Sequence, residues 1–314
     1  MRNKLAYIFP GQGAQFVGMG KDLYENFSSS KEIFDTADDI LGYSIKELCF
    51  EGPIDKLSTT EFSQVAILTV SIAALEALKE SGFEIEPEYL AGLSLGEYSS
   101  LVASGSIDFE TALRLVEKRG RFMHEASLKN PGQMASILGL SEDEVKEITE
   151  ASGTYMVNFN CPGQIVISGR RENIKKAEEL ATDKGAKRFI VLKVSGAFHT
   201  RYMDEASKKL EEEMQQVEFK KPEVKIVFNV TADIEDEPDK IKKNLAYQVN
   251  HPTYWQRSIE YIQERGVNRF FEIGPGRILR GLLRRINPEL RVYNIGSKED
   301  IVELKRSMSY GFKR

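Results

Sequence analysis

Short apolar runs and longer stretches of helical periodicity take turns along the chain, a rhythm that predicts strands interleaved with helices. Lys4 to Phe9 reads as a strand, stopped by Pro10-Gly11. From about Phe16 to Gly82 the pattern is helical and ends in a long apolar helix around Val65 to Lys79. Tyr89 to Gly92 is a brief strand. Helices follow over Glu97 to Ser104 and Asp108 to Ser127, the second with Asp108 in the N-cap place and Ala112, Leu115, Val116 and Arg119 at helical spacing.

The middle of the chain changes rhythm. Met134 to Leu140 is strand-like, and Ser141 with Glu144 has the capping-box form that opens a helix to about Ala151. Tyr155 to Asn160 and Gln164 to Ser168 read as strands joined by the turn Cys161-Pro162-Gly163. A helix over Glu172 to Lys184 and a strand over Lys187 to Val194 complete a β-α-β-β-α-β order, the split ferredoxin-like unit. The pattern predicts a small domain inserted in a larger α/β one. Beyond it come a helix (Tyr202 to Gln216), a strand (Lys225 to Asn229), two helices (Asp239 to Tyr247, Tyr254 to Arg265) and a strand (Arg269 to Ile273). A helix over Ile278 to Ile286 and a strand over Arg291 to Ile295 follow, and the tail from Ser309 to Arg314 is expected to fray. Strands alternating with helices predict a parallel sheet covered on both faces.

Composition narrows the function. At 314 residues, 41% hydrophobic and 29% charged, the chain can bury a sizeable core. Its net charge is −5 and no basic cluster alternates with aromatics, so a nucleic-acid partner is not expected. The two cysteines, Cys49 and Cys161, form neither a metal-binding spacing nor a disulfide framework, which fits a reducing compartment. The longest nearly apolar run, Val65 to Leu75, is 11 residues, too short for a bilayer, and the first residues lack the apolar core of a signal peptide. The expectation is a cytoplasmic protein with no membrane association.

Candidate chemistry begins at "AGLSLGEYSS", Ala91 to Ser100, where Gly-x-Ser-x-Gly joins a strand to a helix. This is the form of a nucleophile elbow, in which small residues flank a serine on a sharp turn and the following helix aims its N–H groups at a developing oxyanion. A plain turn can carry the same five residues. A serine needs a base, and the chain has three histidines. His124 falls within a helix and His251 precedes Pro252, whereas His199 in "SGAFHT" follows a strand, where catalytic groups of open α/β sheets gather. His199 is therefore the expected base. No acidic residue stands close before Asp204, so a third triad member is not evident. "GQGAQF" and "GMGKDL" are incomplete as dinucleotide and Walker motifs, and no metal-ligand spacing occurs, so neither cofactor nor metal is expected.

Six segments together carry a family resemblance. "FPGQGAQ" (Phe9 to Gln15), "GLSLGEYSSL" (Gly92 to Leu101), "LVEKRGRFM" (Leu115 to Met123), "NFNCPGQIVISG" (Asn158 to Gly169), "GAFHT" (Gly196 to Thr200) and "EIGPGRIL" (Glu272 to Leu279) occur in this order. The chain thereby resembles the malonyl-CoA:acyl carrier protein transacylases of fatty acid synthesis from about residue 4 to residue 296. The resemblance implies an α/β-hydrolase-like large domain (1–128 and 197–314) carrying a ferredoxin-like small subdomain (129–196). It implies Ser94 as nucleophile and His199 as base, the latter's second ring nitrogen held by a main-chain carbonyl at Gln248. The oxyanion hole would be the main-chain N–H groups of Gln12 and Leu95. Arg119 would bind the free malonyl carboxylate, as a guanidinium can through two parallel bonds. Phe198 would narrow the acyl pocket against an α-methyl branch, and Leu93 stands where the family usually has histidine. Malonyl-CoA and acyl carrier protein are the expected partners, and a monomer is expected. A hydrolase of related fold and a non-catalytic carrier-protein docking module are the rival readings.

Overall fold

The computed structural model describes residues 4–83, 85–194 and 196–311. Among these residues the ten strands are β1 (Leu5–Phe9), β2 (Tyr89–Gly92), β3 (Gln133–Leu138), β4 (Tyr155–Cys161), β5 (Gln164–Gly169), β6 (Arg188–Val191), β7 (Lys225–Phe228), β8 (Asp233–Ile234), β9 (Arg269–Ile273) and β10 (Arg291–Ile295). Six form one sheet in the order β10-β9-β1-β2-β7-β8, parallel except for the short edge strand β8. The other four form an antiparallel sheet in the order β4-β5-β3-β6. The fold is α/β, with the βαββαβ unit lying between two parts of the larger sheet.

Strand β1 is central and wholly buried, which is why its sequence is a continuous apolar run. Alternate residues feed opposite faces. Leu5, Tyr7 and Phe9 join the main core with helices Ser28–Leu41, Thr60–Glu80, Phe109–Lys129 and Asp204–Gln215. Ala6 and Ile8 join a second core with helices Trp255–Glu264 and Ile278–Ile286. In the small sheet Ala135, Ile137, Ile165 and Ile167 pack under helices Glu142–Ser152 and Arg171–Asp183. Met134 and Val166, one residue out of step, face the main core instead.

Helix Thr60–Glu80 is long and apolar enough to cross a membrane by length and composition, yet 83% of its most apolar stretch is buried inside the protein. The helical pattern from Phe16 to Gly82 resolves into five helices, broken at places such as Gly42, whose left-handed backbone (φ 71°) caps helix Ser28–Leu41. The strand expected over Lys187 to Val194 is shorter, Arg188–Val191. Helix Lys298–Gly311, which the pattern did not predict, follows β10 and is anchored by buried Ile301 and Leu304 and by a bond from the Lys298 N–H to Asp22 Oδ2 (2.7 Å); it runs into the first half of the tail expected to fray. Residues 312–314 lie outside the described part.

Trp255, the only tryptophan, is fully buried in the second core. Trp255→Ala is expected to cost about 3–5 kcal/mol through lost packing and the cavity left behind. A lower urea midpoint checks this; an unchanged midpoint would contradict the packing described.

Candidate active site

Strands β1, β2 and β9 end level with one another, Phe9 beside Gly92 and Ile8 beside Glu272, so their following loops meet at one edge of the sheet. At the end of β2 the chain turns sharply through Leu93 and Ser94 into helix Gly96–Ala103. A side chain at Gly92 would run into the main chain of Gly96 and Glu97, and one at Gly96 into the Phe9 carbonyl. Ser94 itself has φ 51°, a left-handed conformation that is strained for a residue with a Cβ. The strain persists because both peptide groups of Ser94 are gripped. Its N–H donates to Asn229 Oδ1 (2.6 Å) and its carbonyl accepts from Gln248 Nε2 (3.0 Å). Asn229 Nδ2 also donates to the Gly92 carbonyl (2.6 Å).

Ser94 Oγ lies 3.1 Å from His199 Nε2, and His199 Nδ1 lies 2.7 Å from the Gln248 carbonyl oxygen. A carbonyl only accepts, so Nδ1 carries the proton and Nε2 is left bare to receive one from the serine. Burial pushes His199 down to about 4, Arg119 adding to the effect and the Gln248 carbonyl opposing it. The imidazole is therefore neutral at physiological pH.

Arg119 is 1% exposed. Its Nη1 donates to Gln64 Oε1 (2.6 Å), and its Nη2 to Gln248 Oε1 (2.9 Å) and Ser94 Oγ (3.0 Å). Gly120 permits this arrangement by bringing helix Phe109–Lys129 against the main chain of Thr60 and Glu61, which sets Gln64 opposite Arg119. Burial lowers the guanidinium's proton affinity, and the nearby Tyr98 and Glu97 raise it. Among the described residues no carboxylate touches Arg119, and its Nε has no partner. A buried cation lacking a direct counter-ion is costly, so the site favours an incoming anion.

Gln12 follows β1, and Leu95 opens the elbow helix. Gly11 packs on the Leu93 carbonyl, which brings the Gln12 segment against the turn. Among the described residues neither the Gln12 nor the Leu95 main-chain N–H has a protein acceptor. A cleft of about 450 Å³ opens onto Gln12, Ser94, Arg119, Phe198 and His199, with Met123, Met134 and Leu192 as apolar wall. Phe198 is 4% exposed, and Leu93 also borders the cleft. The sequence-derived residues thus come together. His124 and His251 do not: neither borders the cleft, and His251 stacks on Tyr247 instead.

Three participants were missed from sequence. Gln64 sits in an apolar helix and reads as a stray core amide. Asn229 was only the end of a strand. Glu97, an acid in the first turn of its helix, has a local explanation in the helix dipole, but it is fully buried and its carboxylate accepts from the Asn229 N–H and from Gln248 Nε2. Burial pushes the Glu97 carboxyl upward, and the Asn229 N–H, Arg119 and Gln248 pull it back.

Residues 6–286 match the acyl transferase domain family. The chain is 44% identical over 304 residues to the malonyl CoA-acyl carrier protein transacylase of Bacillus subtilis, covering 95% of each. Its fold is similar to a crystal structure of malonyl CoA-acyl carrier protein transacylase from Clostridium perfringens (TM-score 0.92, 39% identity, 99% and 100% of the two chains). It is also similar to a malonyl-transacylase solved in complex with its type II polyketide acyl carrier protein (TM-score 0.91, 38% identity, 95% and 98% covered).

Two outcomes follow from this geometry. Gly92→Ala should abolish the turn, giving insoluble protein or protein in which Ser94 no longer reacts with a fluorophosphonate. In a nuclear magnetic resonance titration His199 should stay neutral until the pH approaches 4. An unfolded histidine protonates near 6.5. Acid therefore favours the unfolded chain, and this contribution to stability is intact above about 6.5 and falls as the pH drops towards 4. A His199 midpoint near 6.5 would contradict the burial argument.

Proposed function

The chain belongs to the acyl transferase family, and from that premise we propose that it moves a malonyl group from malonyl-CoA to the phosphopantetheine thiol of acyl carrier protein. The two steps share one serine ester. His199 Nε2 takes the Ser94 proton while Oγ attacks the thioester carbonyl. The oxyanion gains the Gln12 and Leu95 N–H groups, and the free N–H pair and the positive helix end support that assignment. The tetrahedral adduct expels coenzyme A sulfur, which takes the proton back from His199. A malonyl-Ser94 ester remains, its distal carboxylate paired with Arg119. The carrier's thiol then gives its proton to His199, attacks the ester carbonyl and releases Ser94, whose oxygen takes that proton back from His199, so ping-pong kinetics are expected.

One observation carries the reading: the buried Arg119 cation, free of any direct carboxylate partner among the described residues, donates to the Oγ that would hold the acyl group (3.0 Å). An enzyme for uncharged acyl groups has no use for that cation. Ser136 Oγ and Asn160 Oδ1 border the same cleft without partners among the described residues, and suit the amide N–H groups of a pantetheine arm. Phe198 lies on the apolar wall and supports selection against α-branched acyl groups. Two buried free cysteines are in keeping with a reducing cytoplasm. Fatty acid synthesis is the pathway we favour, though a Bacillus subtilis malonyl CoA-acyl carrier protein transacylase of polyketide biosynthesis is also 41% identical over 293 residues.

Incubation with labelled malonyl-CoA should give a stable ester on Ser94 that transfers to holo acyl carrier protein. Rapid release of malonate would point to a hydrolase, and no label to a docking protein. Ser94→Ala should remove the ester entirely. Arg119→Ala should slow malonyl loading about 10- to 100-fold, the worth of one charged hydrogen-bonding partner. Acetyl loading should change far less. Equal loss for both acyl groups would overturn the carboxylate role.

A further inference from the structure

The bonds beneath the elbow converge on one side chain. Glu97, in the first turn of helix Gly96–Ala103, accepts the main-chain N–H of Asn229 on Oε1 and the Nε2 of Gln248 on Oε2. These partners lie 132 and 151 positions along the chain, and they are the two residues that grip the Ser94 peptide groups. Resting on the Ser94 reading above, we propose that Glu97 is a positioning residue: it fixes the amide of Gln248 and, through it, the imidazole of His199 and the guanidinium of Arg119.

The argument is one of donors and acceptors. Gln248 turns its amide nitrogen to Glu97 and to the Ser94 carbonyl, and its amide oxygen to Arg119 Nη2. Its main-chain carbonyl takes His199 Nδ1. An amide could flip, but an acceptor-only carboxylate on one side and a donor-only guanidinium on the other allow a single orientation. Both Glu97 oxygens accept from N–H groups, bonds that favour its ionised form against the upward push of burial. The carboxyl sits near Arg119 without touching it, which leaves the guanidinium open to a substrate carboxylate.

Glu97→Gln keeps the shape and breaks the pattern. The new amide must set an NH2 against either the Asn229 N–H or the Gln248 NH2. If Gln248 flips instead, its NH2 faces Arg119 and its oxygen faces the Ser94 carbonyl. Either route disturbs the groups that act on the acyl chain.

The experiment is rapid-quench loading of wild type, Glu97→Gln and Glu97→Asp with labelled malonyl-CoA and acetyl-CoA. Burst amplitude counts the molecules able to form the ester, and the rate reports their geometry. Glu97→Gln should retain most of its amplitude, load malonyl on the order of 10²-fold more slowly, and lose preference for malonyl over acetyl. Glu97→Asp keeps the charge but is one methylene short, and should fall between. Reduced amplitude with wild-type rate and preference would overturn the proposal, because that is the behaviour of a merely destabilised protein. So would failure of both variants to fold, which would assign the carboxylate to folding alone. A wild type that forms no Ser94 ester would sink the functional reading itself, whereas unchanged rates in the variants leave that reading standing and reject only Glu97's role.

Discussion

A guanidinium taken out of water and given only neutral contacts is the constraint around which this molecule is arranged. The effective penalty for burying an ion is several kcal/mol, so Arg119 persists there only because the fold holds it. Gln64 and Gln248 satisfy part of its hydrogen-bonding capacity, and Tyr98 lays its ring 5.8 Å from the guanidinium carbon. None of these is an anion. The helix that carries Arg119 and the helix that carries Gln64 are long and well packed, and a surface version of the same cation would be far less selective.

The Ser94–His199 pair depends on a second constraint, the positive φ of Ser94 and of His199 (51° and 61°). Each residue sits in a conformation its Cβ resists, and each is tied down at its main-chain N–H. Ser94 is tied to Asn229 and His199 to the Val249 carbonyl (3.1 Å). The neutral imidazole suits the base role proposed for His199, with no carboxylate behind it. A carbonyl fixes the tautomer without charging the ring, so the proton affinity stays low enough for His199 to remain receptive at neutral pH.

Much of this was legible in the residues. Gly92 and Gly96 around Ser94 announce a turn with no room for side chains, and the central strand shows its burial as an unbroken apolar run. His199 could be chosen by its position after a strand, and the order of the small unit's elements identified its sheet. Gln248 entered only through the family resemblance, because a main-chain carbonyl leaves no mark on residue identity. Glu97, Asn229 and Gln64 stayed hidden for a different reason. Each acts through partners brought together only by the folded sheet, and an acid in the first turn of a helix already has a sufficient local explanation. The last helix escaped because its burial rests on a few residues, Ile301 and Leu304 among them.

The small sheet supplies walls and no reacting group. Met134 and Leu192 face the cleft from it or from the segment leaving it, while Ser94, Arg119 and the ring of His199 are anchored to the larger body. Part of the cleft's wall is thereby carried by a different stretch of chain from Ser94, His199, Arg119 and Phe198. Substitutions on β3 or after β6 can reshape the cleft while the cluster of Ser94, His199 and Arg119 stays untouched, a division of labour that leaves one scaffold free to diversify what it admits.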